Sequence, residues 1–250
     1  MQFVKTLAIL LACVCSILNA APQQKWVRDI EETPGLFEGD IILPPSIENG
    51  LIDEVYRWPN ATVVYELDPT FMVDELAKIY AGWAEITNTT CIKFRPKGPS
   101  DTNYVMVRRG AEGTGCSSSV GMRGGQQGMN LEAPSCTNRH GTIIHEMLHA
   151  IGFYHEQSRP DRDDYLTVVW DKIEPGKEHN FNKYPEDTVT TLGAPYDYGS
   201  VLHYSARGFS IDGNDTLVPK IPGVTIGQRL QISQLDAGKV RLMYNCPDEW

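Results

Sequence analysis

Three histidines and one glutamate near the middle of the chain have the spacing of a hydrolytic metal site. The sequence from Gly141 to Asp163 reads G-T-I-I-H-E-M-L-H-A-I-G-F-Y-H-E-Q-S-R-P-D-R-D. His145 and His149 are four residues apart, so a helix would place both imidazoles on one face, within reach of one ion. A catalytic zinc ion typically has three protein ligands and one open position for water, and His155 can supply the third ligand.

The residues around these histidines suggest how the site works. Gly152 can adopt the left-handed conformation that ends a helix, after which the chain can bring His155 back towards the other two. Glu146 adjoins a ligand but projects in another direction, so we expect it to accept a proton from a water molecule at the metal rather than to bind the ion. The sequence therefore predicts one catalytic Zn²⁺ per chain.

Two other interpretations of this segment are an ordinary buried helix and a structural zinc site. The first is weakened by the added glycine and third histidine, because H-E-x-x-H alone occurs by chance far more often than the longer pattern. A structural site usually has four ligands, often cysteines, and no cysteine lies nearby.

The segment resembles the zinc signature of the astacin metalloendopeptidases, a family within the metzincins. The resemblance includes Glu156, directly after the third histidine, and the R-x-D-R-D continuation from Arg159. It extends from about Phe37 to Cys246. It implies an α+β fold, an astacin/metzincin-like zinc protease of two subdomains. The first would hold a twisted sheet and two long helices, and the second would be irregular and end in a helix.

A second motif lies at Tyr196-Asp-Tyr-Gly-Ser-Val-Leu-His-Tyr204. It resembles the family's Met-turn, S-x-M-H-Y, which forms the base under the three imidazoles. Leu202 stands where the family has methionine, an exchange that conserves volume and usually costs less than about 1.5 kcal/mol. The resemblance implies that Tyr204 stabilises the oxyanion during catalysis, the alternative being a core tyrosine. His203, His140 and His179 are expected to be structural.

The beginning of the chain predicts export. Lys5 precedes an apolar run from Leu7 to Leu18 that ends in Asn-Ala-Ala, the pattern of a secretory signal peptide with cleavage near Ala20. The run is short for a membrane span, although a signal anchor is the alternative. We expect residues 1–20 to be the signal peptide and the product to be secreted, with no membrane span.

Residues 21–48 are predicted to be a propeptide. Phe37-Glu38-Gly39-Asp40 resembles the F-x-G-D motif of astacin propeptides, which implies that Asp40 binds the zinc ion in the latent form only. The alternative is a solvated turn in an acidic linker. An activating protease would cut near Asn49. It would leave a peptidase domain of residues 49–250, with subdomains of about 49–152 and 153–250.

Two further roles follow from the resemblance alone. Glu156 is expected to receive the new amino terminus in a buried salt bridge after processing. Arg229 is a candidate for the pocket that selects aspartate or glutamate after the scissile bond, the alternative being a solvated surface arginine.

Cys116 to Gln127, C-S-S-S-V-G-M-R-G-G-Q-Q, resembles the family segment whose edge strand pairs with an extended peptide.

Four cysteines remain after the signal peptide, an even number that fits disulfides in an oxidising compartment. The spacing allows three pairings. The resemblance implies Cys91 with Cys246 and Cys116 with Cys136, each worth roughly 3 to 5 kcal/mol in the chain-entropy model. Glycosylation sequons begin at three asparagines, Asn60, Asn88 and Asn214.

Composition and periodicity agree with a globular, acidic protein. The chain is 41% hydrophobic, and beyond residue 48 it carries 19 basic and 26 acidic residues, which argues against nucleic acid or an anionic membrane as partner. β-Branched residues and alternation predict strands, and apolar spacing predicts helices. The predicted strands are 61–67, 92–94, 104–108 and 128–132, and the predicted helices are 72–86, the zinc-ligand segment, and a final helix from a capping box at Ser233 through Tyr244.

The sequence as a whole predicts a secreted zinc metalloendopeptidase made as a zymogen. Its partners would be protein or peptide substrates and the activating protease, and we expect a monomer. One alternative is a non-catalytic secreted zinc-binding protein on the astacin fold, and a weaker one is a hydrolase of a non-peptide bond. The retained Glu146 favours the enzyme, because a degenerate relative tends to lose the base first.

Overall fold

A computed structural model describes residues 27–43, 54–185 and 189–247. The predicted signal peptide lies outside these ranges, and so does the expected processing region near Asn49. The described chain has an α+β fold, as the sequence predicts. Within these residues no helix is both long and apolar enough to cross a membrane.

A twisted mixed sheet of six strands forms the first half of the fold. In chain order its strands are β1 (Ile41–Ile42), β2 (Thr62–Leu67), β3 (Lys93–Pro96), β4 (Tyr104–Gly110), β5 (Cys116–Ser119) and β6 (Gln126–Glu132). Their order across the sheet is β1-β5-β6-β4-β2-β3. All neighbouring pairs are parallel except β5 and β6. Strand β5 is therefore the antiparallel neighbour of β6, and it carries the edge strand β1 on its other side.

Two helices pack together beside this sheet. Helix α1 (Val73–Thr89) buries Ile79, Trp83 and Ile86 on one face, as its apolar spacing predicts. Helix α2 (His140–Ile151) is buried along nearly its whole length, so its polar side chains lie in the interior. A Cβ at Gly82 would lie 2.9 Å from Ile143 Cγ2, so the absence of a side chain there permits the close approach of the helices.

Gly152 ends helix α2 in the way that the sequence predicts. Its φ is 133°, and its N–H donates to the carbonyl oxygens of both Leu148 and His149. A side chain is strained at this φ, so glycine lets the chain turn sharply out of the helix. The turn leads into a 3₁₀ segment, Glu156–Ser158, directly after His155.

The second half has little regular structure. It contains strands β7 (Leu166–Val168) and β8 (Leu217–Pro219), which pair antiparallel, and helix α3 (Gln234–Met243). The predicted capping box is present at the start of α3: Ser233 Oγ accepts from the Asp236 N–H at 2.8 Å, and the Asp236 carboxylate accepts from the Ser233 N–H at 3.2 Å. One disulfide joins Cys91 to Cys246 and the other joins Cys116 to Cys136, the pairs that the resemblance implies.

Residues 27–43 form a strap across the face of the molecule, and we refer to them below as the strap. The strap contains a 3₁₀ turn, Ile30–Glu32, and a tight turn in which Leu36 and Gly39 exchange two backbone hydrogen bonds of 3.0 and 3.1 Å. Strand β1 then pairs with β5, placing Ile41 opposite Ser118. The strap thus occupies the edge of the sheet that the sequence assigned to an extended peptide.

Candidate active site

The three histidines predicted as ligands converge on one point in the interior. His145 and His149 project from α2, and the Gly152 turn brings His155 to them, all at most 2% exposed. The Nε2 atom of His145 lies 3.1 Å from that of His149 and 3.3 Å from that of His155. Zn–N bonds of about 2.0–2.1 Å arranged tetrahedrally separate nitrogens by about 3.3 Å, so the donor set fits zinc.

The second nitrogen of each imidazole fixes the tautomer that metal binding needs. Nδ1 of His145 donates to the Val201 carbonyl at 2.7 Å, and Nδ1 of His149 donates to the Phe153 carbonyl at 2.6 Å. His155 Nδ1 lies 2.8 Å from the Glu38 carboxylate. With each proton on Nδ1, all three Nε2 lone pairs face one another. Such a cluster is repulsive unless a cation lies between them.

Asp40 completes the cluster. Its carboxylate oxygens lie 3.0, 3.6 and 3.4 Å from the Nε2 atoms of His145, His149 and His155. The four ligand atoms lie within 4.8 Å of one another and could hold one metal ion. Asp40 is 1% exposed, and its Oδ1 has no hydrogen-bond partner in the described structure. A buried carboxylate oxygen of this kind is expected where it binds a cation.

The protonation of the cluster also indicates a site for positive charge. Burial lowers the pKa of His145 and, more strongly, that of His149, which keeps both imidazoles neutral. Burial also lowers the pKa of His155, but the carboxylates of Asp40 and Glu38 outweigh it and raise this pKa to about 9. The protein without metal would therefore attract a proton to the place where the four ligands offer a cation site.

Glu146 lies on α2 next to the first ligand and is fully buried. Both of its carboxylate oxygens lack a hydrogen-bond partner among the described residues. Burial, and then the negative charge of Asp40, raise the pKa of Glu146 well above its usual range. A buried carboxyl group without protein partners is expensive to maintain, so its presence beside a metal site points to a role with water or substrate.

The segment predicted to lie under the three imidazoles contacts the first of them, because the Val201 carbonyl accepts from His145. Leu202 is 4% exposed and belongs to the core, and it occupies the position at which the family motif has methionine. His203 is buried and bonded to neighbours at both nitrogens, to the Tyr204 carbonyl at 2.7 Å and to the Tyr196 hydroxyl at 2.8 Å. It is therefore structural, as predicted. The Tyr204 ring lies 4.8 Å from the His155 ring, and its hydroxyl donates to the Glu38 carbonyl at 2.7 Å.

Glu156 already has partners in this structure. Its Oε2 accepts from Lys239 Nζ at 2.5 Å, and its Oε1 accepts from Arg159 at 3.2 Å and from the Asp197 N–H at 2.9 Å. Residues 49–53, where the new amino terminus would lie, are outside the described part of the chain. A cavity of about 50 Å³ borders both Glu156 and Lys239.

The Arg229 side chain is mostly buried, so the alternative of a solvated surface arginine is wrong. Its side chain is 11% exposed, and its Nε donates to Glu31 Oε1 at 2.9 Å. Thr142 Oγ1, one turn before the first zinc ligand, donates to the same oxygen at 2.7 Å. Nη1 of Arg229 donates to the carbonyl of His203 at 3.0 Å. Glu31 of the strap therefore binds the arginine that the resemblance makes a candidate for contacting an acidic residue.

Two residues at this site were missed by sequence reasoning. Glu31 belongs to no motif, and nothing in the sequence connects it to Arg229. Glu38 is the variable residue of the F-x-G-D motif, so the motif indicated its neighbourhood but not its contacts. Of the other predicted histidines, His140 pairs with Glu85 at 2.6 Å, away from the ligand cluster.

Fold and site together place the chain in the class of zinc-dependent proteases with a three-histidine centre. A sequence model of Astacin (Peptidase family M12A) matches residues 51–245. The chain therefore belongs to the astacin family, and the resemblance drawn from its motifs is confirmed.

Known proteins similar to this chain agree with that assignment. Zinc metalloproteinase nas-14 of Caenorhabditis elegans is 38% identical over 239 residues, 84% of this chain and 47% of that protein. Meprin A subunit beta of Homo sapiens is 44% identical over 226 residues, 88% of this chain and 31% of that protein. The chain thus spans about half or less of the length of these curated relatives.

A solved structure supports the fold. High choriolytic enzyme 1, a hatching enzyme zinc-protease from Oryzias latipes, has a TM-score of 0.70 and 35% sequence identity to this chain. The match covers 76% of this chain and 94% of that one. Myroilysin, at 20% identity and a TM-score of 0.55, shares the fold.

Proposed function

We propose that the chain is a secreted zinc metalloendopeptidase that is made as a latent precursor. One observation carries the proposal: the Asp40 carboxylate lies within 3.6 Å of the Nε2 atoms of all three histidines, beside a buried Glu146 that has no hydrogen-bond partner among the described residues. The histidines provide a catalytic donor set, and the aspartate fills the position that water would need. Removal of Asp40 would open that position.

The proposed mechanism is hydrolysis of an internal peptide bond. Bound at His145, His149 and His155, zinc would polarise the scissile carbonyl and lower the pKa of water to about 7. Glu146 takes a proton from the attacking water and returns it to the leaving amine, a role typically worth 10²- to 10⁴-fold in rate. Tyr204 donates its hydroxyl hydrogen to the developing oxyanion.

Latency would rest on residues 21–48 as a propeptide. Asp40 occupies the metal's fourth position, β1 covers the edge of β5, and the Glu38 carbonyl engages the Tyr204 hydroxyl. Each of these three contacts withholds a group that catalysis requires. Cleavage by an activating protease near Asn49 would release all three together and leave the domain of residues 49–250, with subdomains of about 49–152 and 153–250.

After processing, the new amino terminus is proposed to reach Glu156. The nearby cavity and the cations of Lys239 and Arg159 support an ion-pair cluster there. An entering ammonium would share the carboxylate with Lys239. Removal of the propeptide would in this way order the segment that carries His155.

We infer that the enzyme prefers aspartate or glutamate directly after the scissile bond. The support is the contact of Arg229 with Glu31, in which the guanidinium and the Thr142 hydroxyl both donate to one glutamate oxygen. A charge-assisted hydrogen bond in a buried pocket discriminates strongly against residues that cannot form it. Protein or peptide substrates with acidic residues are therefore the proposed partners.

Export is supported by the apolar leader in the sequence and by two disulfides. In an exported protein the sequons at Asn60, Asn88 and Asn214 become candidate glycosylation sites, and all three asparagines are exposed. The processed enzyme is proposed to act as a monomer.

The test of this function is an assay of the processed protein on fluorogenic peptides, with and without a chelator. We expect one zinc ion per chain, and cleavage that the chelator abolishes and added Zn²⁺ restores. Stoichiometric zinc without cleavage of any peptide would indicate the non-catalytic zinc-binding protein. Processed protein without zinc would refute the metal site itself.

A further inference from the structure

Glu38 makes three contacts with the site from a single position. Its side chain is 1% exposed. Oε2 lies 2.8 Å from His155 Nδ1, and Oε1 accepts from Ser158 Oγ at 2.7 Å. Its backbone carbonyl accepts from the Tyr204 hydroxyl at 2.7 Å. Proposed latency uses only the last contact, so the burial of the carboxylate needs another explanation.

The three ligands differ in what orients them. His145 and His149 donate through Nδ1 to backbone carbonyls of the proposed peptidase domain. His155 instead meets a carboxylate, and that carboxylate belongs to the strap. Within the described residues, His155 is thus the one ligand whose Nδ1 partner would leave with the propeptide.

The charge of Glu38 indicates that a cation is its counterpart. Burying an ionised carboxylate is costly unless an opposite charge lies close. In the described part of the chain, neither lysine nor arginine forms an ion pair with Glu38, and its ionic partner is His155. In the metal-bound precursor, an ion on the far nitrogen of that imidazole would supply the opposite charge through the ring.

The backbone at Glu38 is held in an unfavourable conformation to make this contact. Its φ is 47°, in the left-handed region that non-glycine residues rarely adopt. The paired hydrogen bonds between Leu36 and Gly39 close the turn around it. Strain of this kind is common where a side chain must serve a functional site.

We propose that Glu38 is a positioning residue for the metal in the precursor: it holds the His155 ring and strengthens its donation, so that the propeptide helps to bind the ion it blocks. A carboxylate hydrogen-bonded to the outer nitrogen of a histidine ligand typically changes metal affinity 10- to 100-fold. The proposal rests on the proposed function, in which this cluster binds zinc.

The experiment measures zinc release from the full-length precursor. Glu146→Ala is present throughout to prevent self-processing, and a chromogenic chelator in excess reports the ion. We expect Glu38→Ala to release zinc about 10-fold faster than the parent. Glu38→Gln, which can still accept the hydrogen bond but lacks the charge, should fall between them.

Two controls separate positioning from loosening of the strap. Glu31→Gln changes another buried strap glutamate that contacts Arg229 and Thr142 but no metal ligand, and it should release zinc at the parental rate. With Co²⁺ in place of zinc, the visible absorption bands should shift in Glu38→Gln and not in Glu31→Gln. After the propeptide is removed, parent and Glu38 variants should release zinc identically.

Equal release from the parent and Glu38→Ala precursors would overturn the proposal. Equal acceleration by Glu31→Gln and Glu38→Ala would also overturn it, because the effect would then come from docking of the strap. A parent precursor that binds no zinc would instead refute the proposed function, so the two failures are distinguishable.

Discussion

In the proposed function, chemistry and specificity depend most directly on Glu146 and Arg229. Glu146 is buried, neither of its carboxylate oxygens has a hydrogen-bond partner in the described part of the chain, and burial and Asp40 raise its pKa. When the propeptide leaves, the contribution of Asp40 is lost and the pKa falls towards the range that suits a general base. In the proposed precursor, the strap would therefore suppress the base as well as fill the metal's open position.

Replacement of Glu146 should separate metal binding from turnover. In Glu146→Ala we expect one zinc ion per chain and an unchanged fold, because the residue is not a ligand. The kcat of the processed variant should fall at least about 10²-fold, since the variant lacks the proposed general base. Peptide cleavage and metal analysis on the same preparation test this, and activity like that of the parent would contradict the mechanism.

Replacement of Arg229 should change substrate choice. For processed Arg229→Ala we compare kcat/KM for a peptide with aspartate after the cut with kcat/KM for the same peptide with alanine there. We expect the aspartate-to-alanine ratio to fall about 10-fold or more, because the proposed pocket loses its cation. The ratio does not depend on the fraction of folded enzyme. Arg207→Ala removes an arginine that is 59% exposed and should leave the ratio unchanged. An unaltered ratio in Arg229→Ala would exclude Arg229 from the pocket.

At the scale of elements, the position of α2 determines where two of the three ligands lie. Its contact with α1 depends on Gly82, where a Cβ would lie 2.9 Å from Ile143 Cγ2 and 3.3 Å from Ile143 Cβ. Ile143 lies two residues before the first ligand. A shift of α2 at this contact would therefore move the metal site as well as the core.

Two glycine-to-alanine changes in helices should have opposite effects. Gly82→Ala gains helix propensity but crowds Ile143, and we expect a net destabilisation of about 1–3 kcal/mol. At Gly238 in α3, an added Cβ would have no neighbour closer than the Arg241 side chain, at 3.8 Å. Gly238→Ala should therefore stabilise the protein by about 0.5–1 kcal/mol. Thermal or denaturant unfolding measures both. Stabilisation by Gly82→Ala would contradict close helix packing.

At the scale of the whole molecule, the strap connects both halves. It pairs with β5 through β1, reaches the ligands through Asp40, and contacts the second half through Glu32, whose carboxylate accepts from the Phe209 N–H at 3.1 Å. Burial, and then the charge of Asp29, raise the pKa of Glu32 to about 8, although the Phe209 N–H opposes the shift. Arg28 and Glu31 are the other charged groups that act on it.

Docking of the strap should weaken with rising pH. Because the pKa of Glu32 is higher when docked than its ordinary value of 4.5, the docked form retains a proton that the undocked form has lost. The stabilisation is therefore complete below about pH 4.5 and is lost as the pH rises to about 8. In the Glu146→Ala precursor we expect the melting temperature to fall across this range by a few degrees more than in the same precursor with Glu32→Gln. Parallel pH profiles would show that Glu32 does not titrate in this way.

Much of the fold could be predicted because its signals are local. Apolar spacing placed α1, although the helix continues to Thr89, three residues beyond the predicted end. Strand β2 begins at Thr62 rather than at 61 because Asn60 and Ala61 have positive φ. Strand β6 begins at Gln126 because it pairs with β4, and such pairing leaves no mark in the sequence of one strand alone.

What the sequence determined by itself is the set of three histidines, its glycine turn and its adjacent glutamate, since their spacing and residue types within a short segment limit the possible geometry. Asp40 and Arg229 were indicated only through resemblance. Tertiary structure alone decided that Glu31 meets Arg229, 198 residues away, and that Glu38 meets His155, 117 residues away. Such contacts depend on how distant segments pack together, and one residue's type does not specify a partner that the fold brings from far along the chain.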